Sequence, residues 1–443
     1  MVFSSLIFIW FFLPVVVVCN YFIRPRYSNA LLLLASLFFY AWGEPYLVFM
    51  MIVSIFINWE IGKKIESFPL HSKKILIIGV IYNLIILGYY KYAGFGVGII
   101  NLIAGKEILP VPEISLPIGI SFFTFQAISY IADVYKGETC AQNKLINTAL
   151  YISFFPQLIA GPIIKYKDIN HQIENRIMTN DNTAKGFRRF IYGLAKKVLI
   201  SNVLGKAADT IFTMNVVTIS GRMAWIAALF YTFQIYYDFS GYSDMAIGLG
   251  KMFGFDIPEN FDYPYLSKTV SEFWRKWHIS LGAWFKEYVY IPLGGNRKGK
   301  FRTYINLAIV FFLTGLWHGA NYTFIAWGLY YGFFSILERN GLGKLLDKSK
   351  IFSHIYLFLI VNFGWVIFRI DSLKEGLLFI KRLIMPWLYV DFDVSIWRYG
   401  DKMTFFVFMC AVLGGVLCKR SYRKKSELCG ELQSWSSCIV QSF

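Results

Sequence analysis

Leu313-Thr-Gly-Leu-Trp-His-Gly-Ala-Asn321 sets a histidine, His318, inside an apolar run, with Ile309-Val-Phe-Phe-Leu313 before it and Tyr322-Thr-Phe-Ile-Ala-Trp327 after it. An ionisable side chain at membrane depth is costly, so it is read first as functional. A neutral imidazole beside a hydroxyl can take its proton during acyl transfer. Upstream, Phe273-Trp-Arg-Lys-Trp-His-Ile-Ser-Leu carries a second histidine, His278, among tryptophans. Two histidines in aromatic surroundings, joined by a basic Gly-Gly loop, point to base chemistry inside a membrane. The plainer reading of His318 is a packing histidine, because Gly315-x-x-x-Gly319 is a small-residue motif for close helix contact. For His278 it is an interfacial anchor.

The loop Gly294-Gly-Asn-Arg-Lys-Gly-Lys300 offers backbone donors and cations to an anionic ligand at Gly294, Gly295, Asn296, Arg297 and Lys298. It reads equally as an ordinary positive-inside loop. Gln234, Asp238 and Asp244 interrupt the apolar run 231–245. Gln234 and Asp238, four apart, share a helix face and could line a polar tunnel or bond a neighbouring helix. No nucleophile elbow, metal motif or dinucleotide fingerprint occurs.

The elements that must position these residues are membrane helices. Of 443 residues, 56% are hydrophobic and 16% charged, against roughly 25% charged in soluble domains. Apolar runs fall near 2–23, 29–58, 74–104, 115–135, 146–164, 187–213, 222–253, 302–318, 321–338, 353–369 and 402–418. They predict an all-α, polytopic protein with about eleven crossings, the run 74–104 being broken at Gly94-Phe-Gly-Val-Gly98. Residues 165–186 read as a solvated loop; 339–352 and 369–382 read as basic loop or interfacial helix. Segment 271–290 differs, because Trp274, Trp277, His278, Leu281, Phe285 and Tyr288 form one stripe that its charges avoid. It predicts a basic amphipathic helix, interfacial or re-entrant, closed by Pro292-Leu-Gly-Gly-Asn296.

The net charge of +17 sits in short loops between spans, so its partner is membrane lipid and not nucleic acid. With Arg24 the first cation, residues 2–23 read as a retained span with the N-terminus outside. An odd number of crossings then puts Lys419–Lys425 in the cytoplasm. Six cysteines without C-x-x-C spacing imply neither a disulfide framework nor a metal site. One domain, 1–425, followed by a polar tail, 426–443, is expected, and the lack of internal repeats counts against a transporter.

Trp274-Arg-Lys-Trp-His-Ile-Ser-Leu, Tyr290-Ile-Pro-Leu-Gly-Gly-Asn-Arg297 and Gly315-Leu-Trp-His-Gly-Ala-Asn321 closely resemble motifs of the membrane-bound O-acyltransferases. Leu116–Gln126, Phe154–Pro162, Tyr237–Asp244 and Asn362–Arg369 match the alginate O-acetyltransferase branch as well; the match ends near residue 385. The resemblance implies re-entrant helices around a central funnel in a bacterial cytoplasmic membrane. His318 would be the essential histidine and His278 its functional partner. Asp238, Gln234, Trp317, Asn321, Trp274 and Trp277 would line the tunnel. No cofactor is expected to be bound. The donor would be acetyl-CoA or another pantetheine thioester, free or on a carrier protein, reaching the protein from the cytoplasm. An extracytoplasmic acetyltransferase partner is also implied. The D-alanyl-transferring branch for teichoic acids shares the Trp-His and Pro-Leu-Gly-Gly patterns and stays open as the alternative. A flippase with a proton-relay histidine, or a scaffold for the partner, are the remaining readings.

Overall fold

The computed structural model describes residues 1–389 and 400–415. The Lys419–Lys425 cluster, Cys418, Cys429, Cys438 and the polar tail lie outside them. All named elements among the described residues are helices.

Helix α1 (Leu13–Phe22) is entered through a π-helical turn, Phe8–Phe12. Extended Arg24 and the proline that follows it end this stretch and start α2 (Pro25–Ala41). α3 (Leu47–Ser67) follows a break at Trp42-Gly-Glu-Pro45, which splits the run 29–58 into two helices. α4 (Ser72–Ala104) is unbroken across Gly94–Gly98 and stops at Gly105, with φ 65°. The expected interruption is absent. Each glycine costs a helix only about 1 kcal/mol, and opening the backbone beside hydrocarbon would strand its polar groups.

α5 (Ile120–Tyr135) is buried along nearly its whole length. α6 (Leu145–Ser153) and the single turn α7 (Phe155–Leu158) are separated at Phe154, so 146–164 is not one helix. The stretch 165–186 is also not a loop. It holds α8 (Tyr166–Asn175), seated by Tyr166, Ile169 and Ile173, and the start of α9 (Asn180–Ala195), capped by Thr179. Its charges mask an amphipathic pattern whose apolar positions are buried.

α9 runs through a π-helical turn, Lys196–Ser201, into α10 (Asn202–Phe212). It lies against α11 (Gly221–Met252) on glycines. A Cβ on Gly186 or Gly193 would overlap the backbone of Gly248 or Gly241, and the reverse holds as well. α12 (Val270–Lys276) and α13 (Ile279–Phe285) form the short segment that precedes a π-helical turn, Lys286–Tyr290. α14 (Gly299–His318) and α15 (Tyr322–Leu337) make an antiparallel pair, with Gly315 pressed on the backbone of Phe324 and Gly328 on that of Phe311. A kink at Asn340 and Gly341 leads to α16 (Gly343–Leu346). The chain continues through α17 (Lys350–Arg369), amphipathic α18 (Leu373–Ile384) and α19 (Lys402–Gly415).

Two described helical stretches, Pro69–Ala104 and Lys350–Arg369, are by themselves long and apolar enough to cross a bilayer. Length and composition therefore do not reproduce a count of eleven. The other apolar runs are broken, short or polar on one face. The outside is nonetheless apolar: Trp10, Phe11, Phe22, Leu102, Ile103 and Phe301 are largely exposed, as lipid-facing side chains are.

Candidate active site

His318 is the last residue of α14, and Gly319 leaves the helix extended. Asn321 then caps α15 by accepting from the Thr323 amide at 3.3 Å and donates to the Asp371 carbonyl at 3.2 Å. Four aromatic rings surround the half-buried imidazole: Trp317, Trp327 and Phe368 at 4.9, 5.0 and 5.1 Å, and Phe324 at 6.4 Å between centroids. The end of α14 is tied down from α4. The Lys91 ammonium donates to the Trp317 carbonyl and, at 3.0 Å, to Ser121 Oγ, while Tyr92 donates to the Leu316 carbonyl at 2.7 Å. These bonds engage carbonyls that a helix end leaves without partners, and the cation complements the helix dipole.

His278 sits where the amphipathic segment breaks. Instead of one helix over 271–290 there are two, and His278 between them has φ 48°. A side chain holds this left-handed conformation only where its surroundings over-determine it. Here an antiparallel bridge pairs Phe261 with Trp277, and the Ile279 amide donates to the Asn260 carbonyl at 3.0 Å. Asn260 Oδ1 lies 3.2 Å from His278 Nδ1. The segment is anchored at its other end by Glu338, whose carboxylate accepts from the Val270 amide at 2.5 Å and the Ser271 amide at 2.9 Å. The expected stripe survives the break: Trp277, His278, Leu281 and Phe285 are buried.

Trp317 joins the two histidines. Its ring centroid is 4.9 Å from that of His318 and 5.8 Å from that of His278. The Trp317 ring also lines an apolar cavity of about 530 Å³, together with Phe125, Trp284, Leu316, Lys136 and Pro292. A second cavity of about 990 Å³, lined by Arg189, Lys196, Tyr236, Ser240 and Val407, reaches Asn260.

The membrane-bound O-acyltransferase family profile matches residues 140–371, a stretch that contains both histidines. The chain belongs to this family. As an O-acyltransferase it is 46% identical over 385 residues to a probable alginate O-acetylase of Pseudomonas aeruginosa, covering 84% of this chain and 73% of the relative. A peptidoglycan O-acetyltransferase of Helicobacter pylori is 38% identical over 424 residues, covering 87% and 80%. A teichoic acid D-alanyltransferase of Bacillus subtilis is more distant, 30% identical with 57% and 68% covered.

Within this acyltransferase the other sequence candidates fall into separate places. Trp274 packs edge-on against Trp327 and Tyr331, at 5.4 and 4.9 Å, and Trp277 lies 4.8 Å from Trp365. Gln234 and Asp238 are not gathered with them. Asp238 pairs with Lys197 and accepts from Ser201 at 3.1 Å, while Gln234 covers Gly205. The residue of α11 that meets His278 is Phe239, at 4.6 Å. Asp244 pairs with Arg189 and Lys196, both at 2.6 Å.

Gly294 and Gly295 have φ 107° and 53°, so glycine is needed there. Asn306 secures the loop by donating to the Gly295 carbonyl at 2.9 Å. Asn296 bonds Tyr290 and, at 3.4 Å, Arg339, while Arg297 and Lys298 are exposed. Lys91, Tyr92, Asn260 and Glu338 were not anticipated. Lys91 alone carried a usable signal, being the only Asp, Glu, Lys or Arg in 75–104.

Proposed function

We propose that this enzyme draws an acetyl group from a cytoplasmic pantetheine thioester, acetyl-CoA or a carrier-bound equivalent, for O-acetylation of an exported or cell-wall polysaccharide. The observation that carries the reading is the placement of His318 and His278 against one ring, that of Trp317, which also lines an apolar cavity. The acetyl relatives, of alginate and of peptidoglycan, favour acetate over D-alanine as the group transferred.

In this mechanism His318 removes the proton of the acceptor hydroxyl. The oxygen attacks the thioester carbonyl, the tetrahedral intermediate expels thiolate, and the His318 imidazolium returns the proton to the leaving sulfur. His278 orients the reacting groups. The apolar walls keep water from the activated acyl group. Arg297 and Lys298, on the loop after Pro292, attract the donor's phosphates towards the cavity that Pro292 and Lys136 line. The acceptor is a polymer hydroxyl or a relay to an extracytoplasmic acetyltransferase partner. We further infer a bacterial cytoplasmic membrane location, about eleven crossings, the N-terminus outside and the C-terminus in the cytoplasm.

The test is the ester-linked acetate and D-alanine released by mild base from envelope polymers of a strain lacking this protein. Rescue by wild type is compared with rescue by His318→Ala at equal membrane abundance. Acetate is expected to return only with wild type, with His318→Ala at least about a hundredfold lower. D-Alanine following that pattern would reassign the acyl group. Equal rescue by both proteins would overturn His318 as the base and restore the relay and scaffold readings.

A further inference from the structure

Asn260 lies outside both histidine motifs, fully buried in the segment between α11 and α12. Its side-chain oxygen faces the Ser280 amide at 3.1 Å, the Ser280 hydroxyl at 2.9 Å and His278 Nδ1 at 3.2 Å. Its amide nitrogen donates to Ser243 Oγ at 3.1 Å. A backbone N–H can only donate, so the Asn260 atom facing Ser280 must be the oxygen; flipping the amide would set donor against donor. An amide oxygen can only accept, and the Ser280 hydroxyl, 3.5 Å from the same imidazole nitrogen, gives its hydrogen to Asn260 at the shorter 2.9 Å, so the nitrogen facing Asn260 carries the proton. His278 is thus held with hydrogen on Nδ1 and a lone pair on Nε2. That second nitrogen is buried and has no hydrogen-bond partner among the described residues. The ring it belongs to is wedged between Phe239 and Trp317.

We propose that Asn260 is a positioning residue for acyl transfer. It locks His278 in the Nδ1–H tautomer, so that the unpaired Nε2 keeps a lone pair with which to accept a hydrogen bond from the attacking hydroxyl. The proposal rests on the reading of the two histidines as the reacting site, and it divides their work. His278 holds the hydroxyl, and His318 takes its proton. The left-handed backbone at His278 has its purpose here, because it turns the imidazole back onto Asn260 while the chain passes from one short helix to the next.

The full-length protein in lipid, labelled with nitrogen-15 histidine, tests the lock directly. The chain has five histidines, and the His278 pair of resonances is the one lost in His278→Gln. The expected spectrum has a protonated Nδ1 and a bare Nε2; a bare Nδ1 overturns the proposal. Asn260→Asp keeps the side-chain shape and its acceptor oxygen, and the Ser243 hydroxyl can turn to donate to the second oxygen. A carboxylate instead draws a second proton onto the ring and removes the Nε2 acceptor. Ester-linked acetate in the rescued strain is then expected to fall about tenfold or more, with both His278 nitrogens protonated. Acetate at the wild-type level in Asn260→Asp overturns the positioning role. Asn260→Ala, which removes the acceptor altogether, is expected to show a mixture of tautomers. His318→Ala measured alongside keeps the two ideas apart, since its activity judges the base and leaves the tautomer result standing.

Discussion

Lys91 is the residue on which the reading of this site is most exposed to test. It is a cation in the middle of a 33-residue helix, with no carboxylate paired to it among the described residues, and its bonds go to the Trp317 carbonyl and Ser121. A cation at a helix carboxyl end is worth roughly 0.3–2 kcal/mol, and misplacing a base by a fraction of its reach costs more. Lys91→Met is therefore expected to lower ester-linked acetate about tenfold or more at unchanged membrane abundance, with Lys91→Arg recovering part of the loss. Equal acetate from Lys91→Met and wild type would remove Lys91 from the site. Lys91 was legible by the argument that singles out His318, an ionisable side chain in an apolar run. Asn260 was not. Its partner stands 18 positions away across a helix break, and no local pattern encodes a tertiary hydrogen bond. Gln234 and Asp238 share a helix face as their spacing requires, but periodicity does not say which neighbour that face meets.

At the scale of elements, the glycines of α9 and α11 decide how closely two helices approach. Gly186 and Gly193 are seven apart, as are Gly241 and Gly248, so each pair lies on one face. Gly193→Ala is expected to cost about 1–3 kcal/mol, read as a lower unfolding temperature in detergent, and Gly193→Leu to prevent accumulation of folded protein. An unchanged melting curve for Gly193→Ala would show that the helices can separate freely. Glu287, on the π-helical turn after α13, gives a second handle. Burial pushes its carboxyl up, but hydrogen bonds and charges from Lys167 and Lys165 outweigh this and leave it below the ordinary carboxylate range. Its contribution to stability is thus present above the unfolded-state value and fades as pH falls through the lowered one. Glu287→Gln should melt earlier than wild type at neutral pH, with the difference closing in acid. A difference independent of pH would mean that the charge is not what matters. Apolar runs located most helices but not their breaks. The division at His278 depends on Asn260 and Phe261, and the continuity of α4 on the absence of water.

The whole molecule carries its orientation in its cations. Lys136 and Pro292 line one cavity, with Arg297, Lys298 and Lys300 following Pro292 in the chain, and the orientation proposed above puts this face in the cytoplasm. Cys140, exposed after α5, reports on that side. A membrane-impermeant maleimide should label a variant retaining only Cys140 after permeabilisation and not before. Labelling of intact cells would invert the topology. Fold class and chemistry were legible because composition fixes the solvent and the histidine motifs are distinctive as a set. The number of crossings was not, since several helices here owe their place to packing and not to length.

Trp317 and His318 are consecutive, so any tilt of α14 carries ring and imidazole together as one rigid unit. His278 hangs from a separate support. The gap between His278 and the tip of α14 is therefore set by two separate supports, and the bonds that fix that tip from α4 serve as its calibration.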